Sequence, residues 1–505
     1  MAVMRKASVA ALLSVAAAVV ACERPQNEGK TLAHTYCSAC HEFPDPSLLD
    51  KKSWVDGVLP QMARRVGAPA NSLFDETSQS PYLTTLSQKI SKTDWEKIVE
   101  YFRSTAPDSL PYQKLPSQPE VDPPFFSARP FGAGVPSSGI ITVIKVDSTR
   151  RRIFVSDAGR KLLQIFDYSG RLTGSVSLAS PATDLVFDGN QLYILEVGIL
   201  DPNDEAKGQL VRYDFVSTDS LRFGAIVVDS LLRPVYVRRL SEGSSTDAFI
   251  ICEYGNNRGR LAVYRATGGA YRRDVLEASA GAVLFELRDM SGDGKPDLVA
   301  LFAQGDERIV MFENDGQGAF SPTGRVLLRF PPVYGSMDFS LHDFNGDGKL
   351  DIVYVNGDNF DYSRVLKPYH GVRIFENDGG YNFREKFFFP VYGAARAQVN
   401  DFNGDGKPDV LVTSNFADFR LHPERGIVFL TNDGGYKFQP YVFSAAAANQ
   451  WNLTAAADLN NDGLPDVIVG AMDLGNIARL QSSRRATQSS AAMLLLENRF
   501  ARSHK

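Results

Sequence analysis

The chain has 505 residues, 44% hydrophobic and 22% charged, which is room for two or more globular domains with sizeable cores. A net charge of −5, without any aromatic–basic stripe, excludes the basic, phosphate-neutralising class of nucleic-acid binders. The four cysteines, Cys22, Cys37, Cys40 and Cys252, are too few and too scattered for a disulfide framework.

The N-terminus opens with Arg5 and Lys6, then an apolar run over 7–21 that stops at Cys22. A positive start, a short hydrophobic stretch and small residues at its end are the layout of a secretory signal peptide, and the run is shorter than the ~20 residues that span a bilayer. Val19-Val20-Ala21-Cys22 resembles a bacterial lipobox. That resemblance implies removal of 1–21, acylation of Cys22, a tether over 22–29 and attachment to a membrane of the cell envelope, on its periplasmic or outer-surface face. The competing reading is ordinary cleavage near Ala21 with Cys22 as a spare thiol.

Residues 30–110 carry their own signals. Cys37-Ser38-Ala39-Cys40-His41 is the C-x-x-C-H pattern of covalent haem c attachment. Residues three apart share a helical face, so both thiols reach one porphyrin while His41 meets the iron. A zinc site needs a second ligand pair, and after His41 no cysteine or histidine follows before His342 except Cys252. A redox dithiol would sit beside a parallel βαβ pattern, which is absent.

Thr93-Asp94-Trp95-Glu96 reads as a capping box, and Trp95, Ile98, Val99 and Phe102 then recur at helical spacing until Ala106-Pro107 ends the helix. For the sixth iron ligand the segment offers Met62 and His34. His34 lies three residues before Cys37, on the attachment helix, which leaves Met62 as the expected axial ligand and a core methionine as its alternative. Pro60 and Gly57 predict a kink, or a second helix starting at Pro60. Haem motif and final helix together resemble the class I cytochrome c family over about 80 residues.

The stretch 111–136, with Pro111, Pro116, Pro119, Pro123, Pro124 and Pro130, reads as a semi-rigid linker or a strap across the next domain. Beyond it, 137–500 becomes strand-rich. Four near copies of one loop stand out: Asp289, Ser291, Asp293 and Asp297; Asp343, Asn345, Asp347 and Asp351; Asp401, Asn403, Asp405 and Asp409; Asp458, Asn460, Asp462 and Asp466. Each is a D-x-(N/S)-x-D-G-x-x-D pattern followed by an apolar strand, and the starts lie 54 (343 − 289), 58 (401 − 343) and 57 (458 − 401) residues apart. Oxygen donors at positions 1, 3, 5 and 9, a carbonyl at 7 and a glycine at 6 for the tight turn are the chemistry of a Ca²⁺ loop, giving up to four Ca²⁺ sites. After each loop comes an apolar strand ending in Asn314, Asn377, Asn432 or Asn498, the first three continuing as Asn-Asp-Gly, a hairpin signal.

Loop, strand, loop, strand and hairpin make one propeller blade, and the residues over 281–500 resemble the FG-GAP or VCBS repeats found also at the head of integrin α chains. Residues 137–280 keep the strand and turn spacing for three more blades: 141–146 with 153–156 and 164–168; 183–197 with 210–215; 235–239 with 248–254 and 261–264. The expected fold is therefore multidomain, a small all-α haem domain plus an all-β propeller, for which 137–500 at 54 to 58 residues a blade allows six or seven blades, with seven expected. Cys252 reads as a buried small hydrophobe.

Three insertions, 356–371, 414–426 and 470–490, fall at one equivalent place in the last blades and so on one face. They bring Arg364, Lys367, His370, Arg420, His422, Arg425, Arg484 and Arg485, which read either as a basic ring for an anionic ligand or as solvated loop charge. The expected function is a lipid-anchored monohaem c-type electron carrier whose Ca²⁺-binding propeller docks a redox partner protein or small-molecule ligand. Its rivals are a propeller oxidoreductase feeding electrons to the haem and an adhesion or assembly module with haem as sensor. Only three tryptophans argue against a quinone-dependent dehydrogenase, and no catalytic residue is assigned.

Overall fold

The computed structural model describes residues 25–68, 90–241, 247–316, 318–358, 363–481 and 492–500. The chain divides into two compact units, 1–109 and 110–505.

In the first unit, helix α1 (Pro25–Cys37) ends on the first cysteine of the C-x-x-C-H motif. One wide turn, Ser53–Val58, runs directly into α2 (Leu59–Arg65), so the kink expected at Gly57 and Pro60 is a π-type turn at a helix start. Helix α3 spans Lys92–Thr105. Its N-cap is Ser91 rather than the expected Thr93: the Ser91 hydroxyl accepts from the Asp94 N–H at 3.1 Å and donates to the Asp94 carboxylate at 2.8 Å. The capping box is thus Ser91-x-x-Asp94, two residues early, because that pair satisfies donor and acceptor at once. Helices α1 and α3 cross at Gly29, where a Cβ would run into the Lys97 carbonyl. Trp54 is fully buried, packs on Phe102 at 4.6 Å and donates its indole N–H to the Pro46 carbonyl at 2.8 Å.

The second unit is a seven-bladed β-propeller. Its seven antiparallel sheets occupy, in chain order, 141–177, 182–231, 234–277, 282–329, 336–390, 394–442 and 451–498. The three degenerate blades fall where the strand spacing predicts them. Second strands such as Asp297–Phe302, Asp351–Asn356 and Asp409–Ser414 are buried along their whole length. They lie between neighbouring sheets on both faces, which is why they read as unbroken apolar runs and not as alternation.

The last blade has only three strands from the C-terminal part of the chain. Its fourth is Phe126–Pro130, antiparallel to Met493–Asn498, with Phe126 opposite Asn498 and Pro130 opposite Leu494. Glu120–Val121 adds a short parallel strand at the edge of the sixth sheet. The segment expected as a linker therefore closes the ring, and Pro130 fits there because an outer strand needs no donor on its solvent side.

Buried carboxylates fix the connections between blades. Asp157 accepts from the Ser138 N–H at 2.8 Å, Glu196 from Ser180 at 3.0 Å and Glu253 from Leu232 at 2.7 Å. Glu307, 2% exposed, accepts from Gly335 at 3.1 Å and Ser336 at 2.8 Å. Burial pushes the Glu307 carboxyl up to about 7, against the pull of these donors and with a smaller like-charge push from Asp358. The folded protein then holds this proton more tightly than the unfolded chain, so stability is greatest below the unfolded glutamate value near 4.3 and falls as pH rises toward 7. Glu307→Gln should flatten on the order of 3 kcal/mol of that decline, read by urea unfolding of both proteins across this pH range.

Candidate metal centres in the repeated loops

Each Asp loop joins the first strand of its blade to the second, so the loops of blades 4 to 7 lie at one end of the strands, beside the far ends of the third strands. The first carboxylate organises the turn. Asp343 accepts from the Gly346 N–H at 2.7 Å and the Gly348 N–H at 2.8 Å, and Asp289 and Asp401 do the same in their loops. In blade 7, Asp458 accepts from Asp462 at 3.1 Å and Gly463 at 3.0 Å. These N–H groups point inward because the sixth residue is left-handed: Gly294, Gly348, Gly406 and Gly463 have φ between 82° and 89°.

The ninth residue has a different role. Asp297, Asp351, Asp409 and Asp466 start their second strands and are at most 1% exposed. One oxygen of each accepts from the second residue of its loop: Met290, Phe344, Phe402 and Leu459, at 3.0–3.1 Å. The other accepts from the backbone of Asn314, Asn377, Asn432 or Asn498, at 2.7–3.0 Å. The same asparagines return a side-chain bond to the carbonyl of the loop's eighth residue, for example Asn432 to Pro408 at 3.0 Å. Carboxylate and asparagine thus clamp each Asp loop to the end of its blade's third strand, which in blades 4 to 6 runs on into a hairpin. Burial, with Asp405 and Asp401 nearby, pushes Asp409 up to about 7; burial first, then Asp462, takes Asp466 to about 6.

The asparagines were visible in sequence only as turn formers. Their clamping role hides because they follow their aspartates by 17, 26, 23 and 32 residues, a spacing the insertions vary.

Positions 3, 5 and 7 complete the oxygen set. The fifth carboxylate accepts from the N–H of the seventh residue at 2.9–3.0 Å in each loop. In blades 4 to 6 the seventh residue is a lysine whose ammonium lies 3.4, 2.6 and 3.2 Å from that carboxylate. In blade 7 it is Leu464, and in place of an ammonium the second oxygen of Asp462 accepts from the Asn460 amide at 2.9 Å. Among the described residues no three His, Cys, Asp or Glu side chains gather tightly enough to hold an ion by themselves. Ser291, Asn345, Asn403, Asn460 and the seventh carbonyl are therefore needed in any coordination. Donor type and order fit a hard cation, since a carboxylate oxygen that accepts one N–H keeps a second lone pair.

Elsewhere, Cys37 is part-buried and its thiol is pushed up to about 12 by burial and then by Cys40, which is exposed; both are free thiols. The His41 Nδ1 lies 2.8 Å from the Glu42 carbonyl, and Met62 sits part-buried on α2. His34 stacks on Phe43 at 3.8 Å, and Phe43 tilts toward Phe102 at 6.4 Å, so the described part of this unit packs aromatic on aromatic. Cys22, Arg484 and Arg485 lie outside the described residues. Cys252 is fully buried.

Among the described residues the basic side chains of the insertions do not all face solvent. Lys367 and His370 are 4% and 1% exposed, and burial, then Lys367 and Arg373, holds His370 well below its usual value, hence neutral. His422 and Arg425 both face Glu424, at 3.2 and 3.9 Å. Arg364 and Arg420 are exposed.

The FG-GAP-like repeat family matches residues 289–354 and 401–469. No curated protein matches the chain. A calcium-binding protein, regucalcin from Agrobacterium tumefaciens, is a similar solved structure at 17% identity and TM-score 0.38, over 64% of this chain and 97% of its own. A luciferin-regenerating enzyme is similar at 10% identity and TM-score 0.38, over 63% and 94%. The expected function, a lipid-anchored monohaem electron carrier, is corrected here. The family that matches is a propeller repeat, not a cytochrome, and both matched segments lie in the propeller. The two rivals that also ran through haem fall with it.

The clamp makes a direct prediction. Asn432→Ala leaves the Pro408 carbonyl and the Gly434 N–H without their side-chain partners, and should cost about 1–2 kcal/mol in urea unfolding.

Proposed function

We propose that the propeller is a calcium-ordered binding scaffold, in which cations hold one face rigid and the opposite face receives a ligand. The observation that carries this reading is the fourfold recurrence of one oxygen-only loop, clamped in the same register on one face. Oxygen donors in a flexible loop suit Ca²⁺ over Mg²⁺, which demands a near-ideal octahedron and keeps its waters. In the loop of blade 5 the residues that would hold the ion are Asp343, Asn345, Asp347, Asp351 and the Lys349 carbonyl. A bound ion would offset the mutual repulsion of the three carboxylates. An exported location, toward which the first 22 residues point, suits the ~10⁻⁴–10⁻³ M affinities of extracellular calcium modules.

The ligand face is supported by the three insertions, which with the blade-to-blade connections occupy the other end of the strands. There Asp418, 8% exposed, lines a narrow crevice with Tyr392, His422 and Arg425, and one of its oxygens has no hydrogen-bond partner.

Calorimetric titration of chelator-treated protein with Ca²⁺ should show binding at the loops, tightest in blade 7, where no lysine ammonium competes for the fifth carboxylate. At ~100-fold excess over the dissociation constant, each occupied site should add about 2.7 kcal/mol to stability. Asp343→Asn with Asp347→Asn should remove one site, and Leu464→Lys should weaken blade 7 toward the others. Absence of both heat and thermal stabilisation would refute the proposal.

A further inference from the structure

The second residue of every Asp loop is apolar, and each lies in one hydrophobic cluster with an aromatic residue from the next blade around the ring. Met290 of blade 4 shares a cluster with Tyr381 of blade 5, and Phe344 of blade 5 with Tyr436 of blade 6. Phe402 of blade 6 shares one with Phe500, which follows the last strand of blade 7. Leu459 of blade 7 shares one with Tyr168 of blade 1, across the seam of the ring.

Polar contacts follow the same direction. The Tyr436 hydroxyl donates to Asp351, the clamp carboxylate of blade 5, at 3.3 Å. The Asn498 amide donates to the Phe402 carbonyl at 2.8 Å. Arg151 of blade 1 donates to Asn461 of the blade 7 loop at 2.9 Å, with its guanidinium 4.5 Å above the Tyr168 ring. Tyr381 and Tyr436 occupy the same place in their hairpins, after Asn-Asp-Gly-Gly, and both are left-handed, with φ of 62° and 58°. A bulky residue pays roughly 1–3 kcal/mol for that backbone, a cost that persists only where surrounding contacts impose it. Here those contacts belong to the preceding blade.

We propose that each cation loop is completed by the blade that follows it, with Tyr381, Tyr436, Phe500 and Tyr168 as positioning residues for the loops of blades 4, 5, 6 and 7. None of them is needed as an ion ligand. Each fixes the loop's second residue, and Tyr436 also fixes the ninth, so the oxygen donors between them are set from across a blade boundary. Cation binding in one blade then stiffens its joint with the next, including the joint that shuts the ring. The inference rests on the reading of these loops as cation sites.

Terbium, a luminescent substitute for calcium that is excited through nearby tyrosine, tests it. The loops of blades 4, 5 and 7, each with a tyrosine from the next blade in its cluster, should emit more strongly on tyrosine excitation than the blade 6 loop, whose cluster holds Phe500 instead. Tyr168→Phe, Tyr381→Phe and Tyr436→Phe should each remove one site's share of the emission, and the triple variant most of it, with terbium uptake retained by calorimetry. Unchanged emission from a triple variant that still takes up terbium overturns the proposal. A cation-free arm uses hydrogen exchange on Tyr436→Ala: the amides of 344–350 should exchange about fivefold faster, the equivalent of one lost hydrogen bond, while those of 402–408 in the variant's own blade should not change. No change at 344–350, or an equal change in both loops, also overturns it. Failure of terbium to bind sinks the calcium reading alone, because the exchange arm decides the cross-blade contact without any ion.

Discussion

A carboxylate buried without a counter-ion is the element on which blades 4 to 7 are built. Asp297, Asp351, Asp409 and Asp466 give up water and receive in return at least two backbone donors each, from the loop before and from the strand after. The exchange is worthwhile only as a pair of bonds. Leaving either N–H without its acceptor would cost the desolvation of a buried donor, about 1–3 kcal/mol, so an apolar residue of equal volume cannot replace the aspartate. The same carboxylate sits at the ninth position of the cation loop, so one side chain serves strand geometry and loop geometry together.

How much of this was legible in the sequence depends on how local the cause is. The loop pattern, its 54- to 58-residue period and the apolar second strands are set within a few residues, and they place all seven blades, the three degenerate ones included. The strand Phe126–Pro130 was not legible, because its prolines argue for a linker until a partner more than 300 residues away makes it an outer strand. The basic ring lost two of its members for a similar reason. Lys367 and His370 look solvent-bound in an insertion, and only the folding of that insertion against its neighbours buries them. Ser91 displaced Thr93 as helix cap through a pairing with Asp94 that two equally good local signals could not decide.

The two ends of the propeller carry different chemistry. Asp loops, hairpins and the aromatic clusters between blades share one end, where the first and ninth loop carboxylates and the clamp asparagines hold structure. The insertions share the other, where Asp418 keeps an oxygen unpaired beside Tyr392, His422 and Arg425. Rigidity at one end and an unsatisfied acceptor at the other is a sensible division for a scaffold, because a preorganised surface loses less entropy when it binds.

The origin of the seventh blade's outer strand sets an order of events during biosynthesis. Phe126–Pro130 leaves the ribosome early and has no mate until Met493–Asn498 emerges, at the far end of the chain. Through most of translation the nascent polypeptide carries an unpaired strand toward its front and an open arc of blades behind it, a state prone to self-association. A stop codon that falls just before Met493 would therefore do more damage than the loss of one strand suggests, since that strand is the one both ends of the arc are waiting for.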